Sequence, residues 1–123
     1  MRLTPFGEAA RLLRMRLDLS MKSMADYMKI SSSYLSCIEY GEKRLAQKHI
    51  DSTIAFFKDK TTPEDIANLR SAAEQSKDIV STASLSPDAR GLVAAFARRL
   101  QEGDAPTPEI MEWIAKRQKE NKK

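Results

Sequence analysis

The chain holds one cysteine, Cys37, and so closes no disulfide within itself. A lone thiol fits a reducing compartment. Its four glycines, Gly7, Gly41, Gly91 and Gly103, nowhere form G-x-G, which excludes the glycine-rich phosphate loops. The one histidine, His49, has no cysteine or acidic set at metal-ligand spacing. It reads as a surface residue of a helix, and no metal is expected. With no nucleophile elbow either, neither an enzyme nor a cofactor is expected. No apolar run approaches the ~18 residues that span a bilayer, so no membrane partner is expected. The opening MRLTPFGEAARLLRMRL lacks a continuous apolar stretch and a small-residue cleavage site, so it is not expected to act as a signal peptide. A cytoplasmic protein is expected. No useful stretch alternates with period two, so no sheet is expected.

What the chain does have is an apolar fraction of 41% over 123 residues, enough for one modest core and an appendage. Its net charge of +4 is unevenly placed. Residues 1–60 hold eleven Lys and Arg against seven Asp and Glu, whereas residues 61–123 hold ten against ten. The excess therefore lies wholly in the first half, where it attracts polyanions.

Four segments open alike, at Thr4-Pro5, Thr62-Pro63, Ser86-Pro87 and Thr107-Pro108. A hydroxyl cap followed by proline starts a helix. Acidic residues follow in each first turn, where the helix dipole favours them. Apolar residues at three- and four-residue steps predict helices over Pro5–Leu17, Met21–Met28, Ser32–Tyr40 and Gln47–Lys58. Further helices are predicted over Pro63–Val80, Pro87–Gln101 and Pro108–Lys119. STASLS (Ser81–Ser86) reads as a linker, and the tail Lys116–Lys123 as frayed. The expected architecture is all-α, with residues 1–60 as one domain and 61–123 as a helical extension.

Met21 to Tyr40 reads as two short helices joined by a tight turn. Ala25 is small where the helices approach, Ile30 plugs the turn, and Leu35 and Ile38 hold the second helix down. The serines at 31–33 are then the edge of that helix, with Ser31 or Ser32 as its cap, rather than a slack joint. The stretch LSMKSMADYMKISSSYLSCIEYGEKR (Leu19–Arg44) resembles the lambda-repressor/Cro-type, or Xre-type, helix-turn-helix. It matches that pattern at Leu19, Ser20, Ala25, Ile30, Ser31, Tyr34, Leu35, Ser36, Ile38, Glu39 and Gly41, without a gap. Lys29 departs from it, since glycine usually stands there. The stretches Thr4–Arg14 and Leu85–Leu100 are similar to segments of small prophage-type regulators.

The resemblance implies a transcription regulator, most simply a repressor, whose second helix of the pair enters the major groove of double-stranded DNA. It places the base readers at Ser32, Ser33, Ser36 and Cys37. With Leu35 and Ile38 inward, a step of 100° per residue turns Ser33, Ser36, Cys37 and Tyr40 outward. Phosphate contacts need donors beside that helix, and the candidates are Lys22, Lys29, Tyr34, Tyr40, Lys43, Arg44 and Lys48. Members of this family often pair an arginine of the first helix with a glutamate ending the third. The resemblance assigns Arg14 and Glu39 to that structural ion pair.

In the second half, Leu92, Phe96 and Leu100 share one face, and Ile110, Trp113 and Ile114 follow. Two amphipathic helices of this length bury little alone, so these six residues are the candidates for a homodimer interface. A dimer would space two reading helices about one DNA turn apart and select an inverted-repeat operator. Two rivals stand beside this reading. One is an antitoxin-type autorepressor whose second half grips a toxin protein. The other is an interaction module that keeps the shape but binds no DNA.

Overall fold

The computed structural model describes residues 2–121, and Lys122 and Lys123, the end of the tail expected to fray, lie outside the described residues. The fold is all-α, with no strand among the described residues. Among the described residues seven helices run in order: α1 (Pro5–Arg16), α2 (Met21–Met28), α3 (Ser32–Glu39), α4 (Gln47–Lys58), α5 (Pro63–Ser76), α6 (Pro87–Gln101) and α7 (Pro108–Asn121). They fall into two compact units, Met1–Ser84 and Leu85–Lys123.

The first unit is built on one core. Phe6, Ala10, Met24, Leu35 and Phe57 are fully shielded from solvent, and Ala25, Ile38, Ile50 and Leu69 nearly so. Each large apolar side chain so buried contributes about 1.5–3 kcal/mol relative to exposure. Helix α1 packs on α3 and α5, α2 on α3 and α4, and α4 on α5. The expected domain edge at residue 60 is therefore displaced to 84. Leu69 and Ala73 sink into the same core as Phe6, and the Ser76 hydroxyl accepts the Phe6 N–H at 2.9 Å. Helix α5 completes the first unit rather than leading out of it. Its end also comes earlier than Val80, because the chain turns at Ser76–Ile79 into an extended segment.

Local chemistry sets the helix ends. Thr4, Ser20, Ser31, Thr62 and Ser86 each accept a backbone N–H three residues on, as N-caps. Helices α1, α2 and α3 stop where a residue turns left-handed: Asp18 (φ 56°), Lys29 (φ 62°) and Gly41 (φ 76°). In each case the following N–H reaches back five residues, Leu19 to Arg14, Ile30 to Ala25 and Glu42 to Cys37, at 2.8–3.1 Å.

The second unit is a pair of helices around a left-handed turn at Gly103 (φ 96°). Arg99 holds Asp104 across that turn at 3.1 Å. No residue of α6 is buried. Leu92 and Trp113 are more than 70% exposed, Leu100, Ile110 and Ile114 lie at 36–43%, and Phe96 is half-buried. Among the described residues, no helix is long and apolar enough to cross a membrane.

Candidate nucleic-acid interface

Helix α3 owes its orientation to three residues. Leu35, Ile38 and Glu39 are all shielded and face the core. The Ser31 hydroxyl caps the helix by accepting the Tyr34 N–H at 3.0 Å, which settles Ser31 rather than Ser32 as the cap. Ser32 is the first helical residue. On the outward side Ser33 is exposed, and Ser32, Ser36 and Cys37 are partly so. The four side chains expected to read bases thus share the free face of one helix, and all are short enough for a close approach.

Exposed cations stand on the segments that flank α3. Lys29 occupies the turn before α3, Lys43 and Arg44 the loop after it, and Lys48 the first turn of α4, all exposed. Lys22 is exposed too, but its ammonium lies 3.0 Å from the Asp26 carboxylate one helical turn on. A phosphate at Lys22 would have to displace that carboxylate, which an exposed pair of this kind resists only weakly. Tyr34 rests its ring against His49, with centroids 5.9 Å apart. Tyr40 is half-buried, and its hydroxyl accepts from an arginine, so it is more tethered than a free phosphate donor would be.

Beneath the face lies a buried charge. Glu39 is 0% exposed, and its carboxylate accepts from Arg14 Nη1 at 2.7 Å and Arg14 Nη2 at 3.2 Å. Arg14 and Glu39 are therefore together, as the resemblance implied. A third donor, absent from that expectation, completes the set: Arg11 Nε donates to Glu39 Oε1 at 2.8 Å. Its hydrogen bond to Glu39, outweighing partial burial, raises the Arg11 guanidinium above its ordinary value. The backbone is tied at the same point, where Thr4 N and Thr4 Oγ1 both donate to the Glu39 carbonyl, at 2.9 and 3.0 Å.

Two further residues matter here although neither role leaves a local sign in the sequence. At Gly7, an added Cβ would stand 2.2 Å from the Glu39 carbonyl oxygen, so only glycine lets α1 approach the end of α3. His49 is buried, not on the surface as its helical setting suggested. Its Nδ1 accepts the Ala46 N–H at 3.2 Å and so caps α4 where Ala46 has no side-chain acceptor. Burial, and secondarily the neighbouring Lys48 charge, push its pKa below the ordinary histidine value. The Cys37 thiol is free and half-buried. Among the described residues no His, Cys, Asp and Glu group is arranged to hold a metal ion. Set against protein-family models, curated proteins and solved structures, the chain matches none of them.

Proposed function

We propose that the protein is a sequence-specific double-stranded-DNA-binding transcription regulator of the lambda-repressor/Cro type, a repressor of prophage kind acting in the cytoplasm. In this reading it binds an inverted repeat as a homodimer, with α3 in the major groove. One observation carries the proposal: a short helix is held down by Leu35, Ile38 and Glu39 and offers Ser32, Ser33, Ser36 and Cys37 outward beside Tyr34, with exposed Lys29, Lys43, Arg44 and Lys48 on the segments that flank it. Short hydroxyls and a thiol fit a groove where bulkier groups would clash, and the cations sit where phosphates pass. Serine donates or accepts, so DNA shape and bridging water contribute much of the selectivity.

The homodimer follows from the second unit. Two helices that bury none of α6 and leave Leu92 and Trp113 largely exposed cannot support themselves in water. A second copy supplies the missing cover. The same exposed face also favours the antitoxin reading, in which a small partner protein covers it. Copurification with a second polypeptide distinguishes the two.

The test is selection of bound sequences from random duplexes at two salt concentrations. An enriched inverted repeat is expected. Ser33→Ala or Cys37→Ala should alter preference at one or two base pairs, by about 1–3 kcal/mol. Arg44→Ala should weaken all sequences alike and lower the salt slope by about one. No enrichment together with no salt dependence would leave an interaction module without DNA.

A further inference from the structure

Arg11 does more than neutralise Glu39. One guanidinium is enough to balance one buried carboxylate, and Arg14, 5% exposed and bonded through both terminal nitrogens, already does so. Arg11 adds a second positive charge that the ion pair does not require. Only its Nε faces inward, toward Glu39. Its two terminal nitrogens turn to the reading face instead: Nη2 donates to Ser36 Oγ and Nη1 to Tyr40 Oη, each at 3.4 Å. The guanidinium also lies over the Tyr40 ring, 4.9 Å from its centroid. A third of the Arg11 side chain remains exposed.

From this geometry we infer that Arg11, on α1, is a positioning and specificity-determining residue for DNA, acting through Ser36 and Tyr40. The inference rests on the DNA-binding reading. A serine hydroxyl has one proton and two lone pairs. Arginine has donors only. With Arg11 occupying a lone pair of Ser36, the Ser36 proton is directed away from α1, and the hydroxyl presents itself to the groove as a donor. A donor selects base edges that carry acceptors, which in the major groove are purine N7, guanine O6 and thymine O4. It disfavours the amino groups of cytosine and adenine. Stacking on Tyr40 fixes the guanidinium plane, so the orientation is set before DNA arrives and no side-chain freedom is lost on binding.

The experiment compares wild type, Arg11→Lys, Ser36→Ala and the double variant in random-duplex selection, using the full chain, with thermal melts to establish folding. Lysine keeps the charge and a partner for Glu39 but cannot reach Glu39, Ser36 and Tyr40 together. Arg11→Lys is expected to relax preference at one base pair by roughly 3- to 10-fold, the worth of one oriented hydrogen bond. Preference elsewhere and the salt slope should hold. Ser36→Ala is expected to relax the same base pair, and the double variant to relax it no further. If Arg11→Lys selects the wild-type sequence unchanged, or weakens every duplex equally, Arg11 serves only the ion pair and the inference falls while the DNA reading stands. If the two substitutions relax different base pairs, it falls likewise. Should wild type itself enrich nothing, the DNA reading and this inference fall together.

Discussion

At the scale of single residues, α3 is held by contacts that tolerate little change. Gly7 is the tightest of them, with the Glu39 carbonyl oxygen filling the place of its side chain. Gly7→Ala must push α1 off α3, and a loss of about 1–3 kcal/mol in denaturant-unfolding free energy is expected, together with weaker DNA binding. Lys29 makes the opposite case. Its backbone sits at φ 62°, ψ 38°, where a side chain costs about 1–2 kcal/mol. Lys29→Gly should therefore stabilise the fold by about 0.5–1 kcal/mol, allowing for glycine's greater unfolded freedom. The same change removes an exposed cation, so filter-binding affinity for random DNA should fall while the melting temperature rises. Lys29 was legible from the sequence, because the left-handed position lies at a fixed place in the turn pattern. Gly7 and Arg11 were not. Gly7 answers to an atom thirty-two residues away, and Arg11 to one twenty-eight away. Neither relation leaves a periodicity to read.

At the scale of elements, most helix boundaries follow from the hydroxyl–proline starts and the apolar stripes, since capping and amphipathicity are local. The end of α5 does not. Past Leu69 its inward stripe is Ala73 and Ser76, too small and polar to announce a core face, yet it fits against α1 because small residues allow a close approach. Helix α4 shows a different limit. Its start has alanine at the cap position, and the missing acceptor is supplied by His49 from inside the helix. That arrangement is available only to the neutral imidazole. Protonation would set a donor against the Ala46 N–H, beside the Lys48 charge and the Tyr34 ring. The sign follows from the direction of the shift. A histidine whose folded pKa is lowered contributes stability that is complete above its unfolded value, about 6.5, and declines as pH falls through that value toward the folded one. Unfolding free energy should drop over that interval. His49→Gln offers an acceptor at every pH and should flatten the decline in urea titrations at pH 5 and 7.5.

For the whole molecule, the division at Ser84 separates a self-sufficient core from a pair of helices that bury almost nothing among their described side chains. A fragment of residues 1–84 should melt cooperatively and sediment as a monomer, whereas the full chain should sediment as the proposed dimer. Its affinity for an inverted repeat should fall about 10²-fold or more, because two linked half-site contacts become two separate ones. Ending the chain at residue 60 should abolish cooperative melting, since the Phe6 N–H loses Ser76 and the core loses Leu69 and Ala73. The charge pattern places no boundary, because charge reports surface and not burial. Beyond α5 the extended segment runs back to α3, and the Ser81 N–H donates to the Gly41 carbonyl at 2.9 Å. Gly41 is the left-handed residue at which α3 ends. Tension drawn along the backbone from past Ser84 therefore arrives at that bond and then at the stop of α3, which couples the helix proposed to read DNA mechanically to the chain downstream of it.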